Sequence, residues 1–254
     1  MESIKFKLGI GIMKKTDGRK QGFTLLELLV GMVVFGIVIG AVYSTYYTQQ
    51  RSYVVQTEIS HMEQNLRAAI LLMATEIRMA GCDPTGAASR AGILDLDNCW
   101  DPIAERFTSI TFAMDLRGQE IDDPPDGDTS DPDENIHYAL YDSDEDGVND
   151  ALGRDAGSGM ELVAENIDAL DFVYLDENGA VIDLNENGAV TNNTGDIRSV
   201  QISIVARTEK PDPNYVNTNV YKNQQGKTIF GPPNDHYRRR LLTLEVRCRN
   251  MGLK

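Results

Sequence analysis

The chain has 254 residues, with 24 Lys and Arg against 39 Asp and Glu, a net charge of -15 and a pI near 4.6. Such an acidic balance repels nucleic acid and anionic membrane surfaces, which argues against direct nucleic-acid binding. The length suffices for one domain with a proper core, and no solenoid repeat is visible.

From the N-terminus, residues 1–12 have no obvious role, and Met13-Lys14-Lys15 opens a short basic leader, so translation is expected to start at Met13 and not Met1. Lys14, Lys15, Arg19 and Lys20 precede an apolar run over residues 23–42, whereas only Arg51 follows closely behind it. About 20 helical residues at 1.5 Å each cross the ~30 Å hydrocarbon core of a bilayer. The basic flank is expected to stay cytoplasmic and the C-terminal bulk to cross the membrane. Within the run lies one carboxylate, Glu27, and an ionised side chain in a spanning helix needs a partner and a purpose.

An ordinary secretory signal places its cleavage site after the apolar stretch. Here the plausible cut, Gly22-Phe23, falls before it, so the apolar helix would stay on the mature protein. With Gly22-Phe23-Thr24-Leu25-Leu26-Glu27 as it stands, the segment closely resembles the type IV prepilin processing signal. The resemblance implies cleavage after Gly22 by a prepilin peptidase, methylation of the new Phe23 amine by the same enzyme, and pairing of Glu27 with the terminal ammonium of a neighbouring subunit. Charges in a low-dielectric filament core are tolerated only when paired, in agreement with that expectation. Loss of residues 1–22 removes six basic and two acidic groups and deepens the net charge from -15 to -19.

Past the span, Tyr43, Tyr46 and Tyr47 suit a membrane interface. Ile59, Met62, Leu66, Ile70, Met73 and Ile77 then recur every three or four residues, with Glu58, Glu63, Arg67, Glu76 and Arg78 on other faces. No proline interrupts residues 23–80, which predicts one helix of about 85 Å ending at Gly81 and Asp83-Pro84. Major pilins commonly bend this helix with a proline; here Gly31, Gly36 and Gly40 supply flexibility or close contact, or are simply membrane-helix composition.

Residues 81–254 read as a periplasmic or extracellular head. Strand patterning covers 107–114, 136–141, 161–163, 169–175, 200–207 and 241–246, separated by Gly, Asn, Asp and Pro clusters. A long helix followed by an antiparallel sheet is an α+β arrangement. The tracts ENIDALDFVYLDENGAV, IRSVQISIVARTEKPD and RRRLLTLEVRCRNMGL resemble the head of PilW-type minor pilins and, more distantly, the J-type pseudopilin of type II secretion. The acidic insertion 115–155 and residues 211–237 carry no such match.

Within the insertion, residues 121–134 read as a solvated loop. Residues 142–150 are more specific: Asp142, Asp144, Asp146 and Asp150 stand at the first, third, fifth and ninth places, with Gly147 at the sixth. Alternate side chains of a tight loop converge on one ion, so this spacing suits Ca2+, with an acidic solvated turn as the alternative. The twelfth place is Gly153 and not the Glu of an EF-hand, so the loop is more similar to extracellular calcium repeats, with Asp155 or a carbonyl completing the shell. Residues 183–188 and 176–179 read as turns first.

Cys82, Cys99 and Cys248 lie on the side assigned to the periplasm, where disulfides persist. Cys82 with Cys99 is the favoured pair, closing a loop for about 3 kcal/mol. Pairing of either with Cys248, or three free thiols, stays open. His61, His137 and His236 form no metal-ligand spacing, and no nucleophile elbow, P-loop or Rossmann signature is present, so no enzymatic activity is expected. Arg238, Arg239, Arg240, Arg247 and Arg249 are read as balancing charge within the sheet, or as a seam for a neighbour's acidic surface.

The resemblance implies a minor pilin held in the inner membrane, partnered by membrane lipid, other minor pilins, the major pilin, the peptidase and methyltransferase, and the inner-membrane assembly platform. It would join an initiating or tip complex from which a pilus serving adhesion and motility grows, and so reach the cell surface. A type II secretion pseudopilin and a membrane-anchored calcium-dependent adhesin are the alternatives.

Overall fold

The computed structural model describes residues 22–94, 96, 100–101, 106–120, 123–182 and 194–252. All of the leader but Gly22, and the turn 183–188, thus lie outside the described residues. Contacts divide the chain into two units, one up to Ser52 and one from Tyr53 onward.

One helix, α1 (Leu25–Ile77), runs through both. In the first unit its side chains are exposed except the half-buried Arg51, and the helix is long and apolar enough to cross a membrane. In the second unit the apolar stripe is buried as its spacing predicts: Met62, Leu66, Ile70, Met73 and Ile77 enter the core with Ala69 and Ala74, and Ile59 packs at its margin. The last turn tightens, with Met79 N–H reaching the Glu76 carbonyl at 2.8 Å, and the chain leaves through Gly81.

The head is α+β, with two antiparallel five-stranded sheets and a hairpin among the described residues. The first sheet has the order β1 (Gly92–Leu94), β4 (Ile110–Ala113), β5 (Asn135–Tyr141), β6 (Ala151–Asp155) and β7 (Glu161–Ala164). The second has the order β12 (Arg239–Arg247), β9 (Ser199–Arg207), β8 (Ile167–Leu175), β3 (Arg106–Phe107) and β2 (Trp100–Asp101). Residues from both sheets share one core with α1, among them Phe112, Ile136, Tyr138, Phe172, Tyr174 and Ile202.

The expected strand over 107–114 is broken into β3 and β4, which belong to different sheets. Strand β6 lies inside the stretch read as an acidic insertion. Its Gly153 accounts for the omission: a Cβ there would stand 2.7 Å from Met160 Sδ and 2.8 Å from the Tyr141 ring. A packed neighbour, and not a strand-forming side chain, holds that position.

Strands β8 and β9 are buried along nearly their whole length because the second sheet is covered on both faces. Against its other face sit Tyr221 and Ile229 from the hairpin β10 (Tyr221–Lys222) and β11 (Thr228–Phe230), packed on Ala169 and Val205. Fully buried Asn217 braces this cover, donating from Nδ2 to the Tyr221 hydroxyl at 3.0 Å and the Tyr237 carbonyl at 3.1 Å.

Candidate functional site: the helix start and the acidic loop

The segment Gly22-Phe23-Thr24 leads directly into α1, with Phe23 exposed. Thr24 is the N-cap. Its backbone N–H and its hydroxyl each donate to Glu27 Oε2 at 3.0 Å, and its hydroxyl accepts the Glu27 N–H at 3.2 Å. These reciprocal bonds form a capping box, which satisfies backbone donors that a helix start leaves without partners. The sequence holds this signal in Thr24-x-x-Glu27, and reading Glu27 only as a charge in search of a countercharge passed over it. Glu27 therefore fixes where the helix begins, while Oε1 takes no part in these bonds.

The acidic loop joins β5 to β6. Asp142 closes it by accepting N–H groups from Gly147 at 2.7 Å and Asp146 at 3.2 Å, and the Gly147 bond comes first among the causes that hold its pKa below the ordinary carboxylate range. Gly147 adopts a φ of +89°, which favours glycine, and Asp146 in turn accepts from Val148 N–H at 2.8 Å. The result brings a carboxylate oxygen from each of Asp142, Asp144 and Asp146 within 4.8 Å of the others. An oxygen-only set of this kind fits a hard cation such as calcium.

Asp150 is not brought to this group. Its Oδ2 lies 2.5 Å from Arg207 Nη2, and the same guanidinium reaches Asp168 at 2.9 Å. Arg239, 3% exposed, extends the network from Asp168 to Asp235, each at 2.5 Å. Asp155, the expected additional ligand, caps the following turn through the N–H groups of Gly157 at 2.8 Å and Gly159 at 3.0 Å. Of the other late arginines, Arg238 pairs with Asp212 at 2.8 Å and Arg240 with Glu63 of α1 at 2.9 Å, so Arg238, Arg239 and Arg240 balance charge within the head.

A cluster that sequence reading missed ties α1 to the first sheet. Glu76, on the helix, receives Arg154 Nε at 3.0 Å and the hydroxyl of fully buried Tyr138. Arg154 also reaches Asp133 at 3.3 Å. Burial, and then the adjoining Glu76, push the Tyr138 phenol pKa upward.

Cys82 and Cys248 carry free thiols, the second pushed up to about 12 by burial. Cys99, and with it the expected Cys82–Cys99 pair, lies outside the described residues. His137 and His236 are occupied separately, by the Thr111 hydroxyl at 2.8 Å and the Tyr215 carbonyl at 2.6 Å.

Comparison with known families places these features. Residues 17–43 match the prokaryotic N-terminal methylation motif, and residues 135–250 match the type IV pilus-assembly protein W. A solved structure, the type IV-like pilin TTHA1219 from Thermus thermophilus, aligns at 16% identity over 75% of this chain and 98% of its own, with a TM-score of 0.46. No curated protein matches the sequence. The processing motif at the start of a long, span-competent helix, followed by an antiparallel head, is an arrangement similar to that of type IV pilin-like proteins. The head thus carries, over a little under half of the chain, the likeness to the type IV pilus-assembly protein W, a family of structural proteins that act in pilus assembly, and the N-terminal signal marks the chain for prepilin processing and inner-membrane anchoring.

Proposed function

We propose that the chain is cut between Gly22 and Phe23, methylated on the Phe23 amine, and held in the inner membrane by residues 23–42 with its head in the periplasm. From there it enters an initiating or tip complex with other minor pilins and the major pilin at the assembly platform, and emerges on the cell-surface pilus. It works by helix packing and charge pairing, without turnover. The observation that carries this reading is the exposed Glu27 in the first turn of α1, directly behind the processing motif, with Oε1 outside the capping bonds. That oxygen is suited to a neighbouring subunit's terminal ammonium. Calcium held by Asp142, Asp144 and Asp146 would stiffen the β5–β6 turn; Asp144→Ala should then remove part of the calcium response of the purified protein.

Two substitutions separate the roles of Glu27. A capping box accepts Gln in place of Glu, so Glu27→Gln keeps the helix start and removes only the charge. Expected are a mature N-terminus at Phe23 by mass spectrometry, membrane levels unchanged, and recovery in sheared pili reduced at least about tenfold. Thr24→Ala, which breaks the cap but keeps the charge, should still enter pili. Wild-type recovery of Glu27→Gln in sheared pili would refute the pairing role, and an uncut precursor would refute the processing.

A further inference from the structure

The loop from β4 to β5 gathers carboxylates that pilus assembly leaves without a role. Asp126, Asp128 and Asp131 each bring one carboxylate oxygen within 4.8 Å of the other two. Exposed acids in a loop would need no explanation, but the third is not exposed. Asp131 is 8% accessible, and its Oδ2 has no hydrogen-bond donor among the described residues.

The surroundings add negative charge. Glu134, fully buried, accepts the N–H groups of Leu116 at 2.6 Å and Arg117 at 3.0 Å on Oε1, while its Oε2 is unpartnered among the described residues. Asp115, also fully buried, accepts from Gly127 N–H at 3.1 Å and the Thr85 hydroxyl at 3.2 Å on Oδ2, and its Oδ1 is likewise unpartnered. Arg117, a cation acting on Asp131, has its Nη2 committed to the Pro132 carbonyl at 2.9 Å and to Asp133 at 3.1 Å. A carboxylate taken out of water without a donor is costly enough that it either loses its charge or takes a cation.

We propose that Asp126, Asp128 and Asp131 bind a calcium ion. The donors are all carboxylate oxygens on a loop of irregular geometry, which suits an ion that takes six to eight oxygens flexibly better than magnesium, which demands a near-ideal octahedron. Access exists, since Asp128 and Asp131 line an open surface depression. Asp126 and Asp128 bring like charge against Asp131 within the cluster, a repulsion that a bound cation would relieve. The ion would lock the loop onto the turn that leaves α1, because Gly127 and Thr85 meet on Asp115 and the Asp115 N–H reaches the Cys82 carbonyl at 2.7 Å. Neither family match, 17–43 or 135–250, includes this loop.

The test uses the full-length protein in detergent, stripped with EDTA, in an Asp144→Ala background that silences the Asp142 loop. Titration with calcium chloride is expected to show one bound calcium with Kd between about 10⁻⁵ and 10⁻³ M. Saturation should raise Tm by about 5 to 10 °C. Adding Asp131→Asn should abolish both responses and raise Tm in EDTA, since it removes a buried charge. Asp128→Asn, at an exposed position, should abolish the calcium response while leaving the fold intact, so the result does not depend on how the Asp131 variant folds. Absence of calcium heat in the Asp144→Ala background, an unchanged calcium response in Asp128→Asn, or an equal response to magnesium overturns the proposal.

Discussion

Substitution of Glu76 tests how α1 is held to the head. Its carboxylate is 18% exposed and Arg154 is 16% exposed, at 3.0 Å, so the pair is mostly removed from water. Removing one partner of a buried pair costs about 3 to 5 kcal/mol. Arg154 keeps Asp133 at 3.3 Å, which moves the charge part of the loss to the low end of that range. The Tyr138 hydroxyl loses the Glu76 acceptor in a fully buried position, at a further cost of about 1 kcal/mol. Glu76→Ala should therefore destabilise the head by about 4 kcal/mol, lowering Tm by roughly 8 to 16 °C for a unit of this size. Thermal unfolding of the purified protein, followed by circular dichroism, measures it. Glu58→Ala, which removes a pair whose Lys210 side chain is 66% exposed, is the control and should change stability by less than about 1 kcal/mol. Replacing both members, Glu76→Met with Arg154→Met, should recover most of the loss, since no charge is then left buried alone. A Glu76→Ala protein within about 1 kcal/mol of wild type would refute the reasoning.

Arg239→Ala should be comparably severe, about 3 to 5 kcal/mol by denaturant unfolding, because a 3%-exposed guanidinium bridges Asp168 and Asp235; Arg239→Lys should rescue only part of it, lacking the planar fork. Burial lowers the His137 pKa from its ordinary 6.5 despite the opposing charge of Asp155. The fold thus favours neutral His137, whose contribution is complete above about pH 6.5 and declines as pH falls from there toward the lower folded value. Melting temperatures from pH 8 to pH 5 should fall more for wild type than for His137→Asn. Cys248, its thiol raised to about 12, should resist alkylation at pH 8 in the native protein and react once unfolded.

Local pattern carried much of the fold. The stripe from Ile59 to Ile77 identified the buried helix face because period and packing direction coincide along one element. What escaped was decided by partners distant in sequence. Asp150 has the right spacing for the calcium loop, yet Arg207, 57 residues later, claims it. The solvated reading of residues 121–134 followed from charge and proline content, which do not reveal that Asp131 and Glu134 turn inward. Strand β6 was hidden because its Gly153 is dictated by Tyr141 and Met160. Thr24 was legible in principle, its capping role overshadowed by its place in the processing motif.

Strand β12 borders the second sheet for nine residues with no further strand beside it among those described. Such a margin offers a ready template for unwanted cross-β stacking. Its outward positions are held by Arg240, Thr243, Glu245 and Arg247, all exposed, so a second copy laid along it in register would set like charge against like. For a chain that carries a pilin processing signal, this discourages head-to-head fusion at the border and leaves polymerisation to surfaces that processing controls.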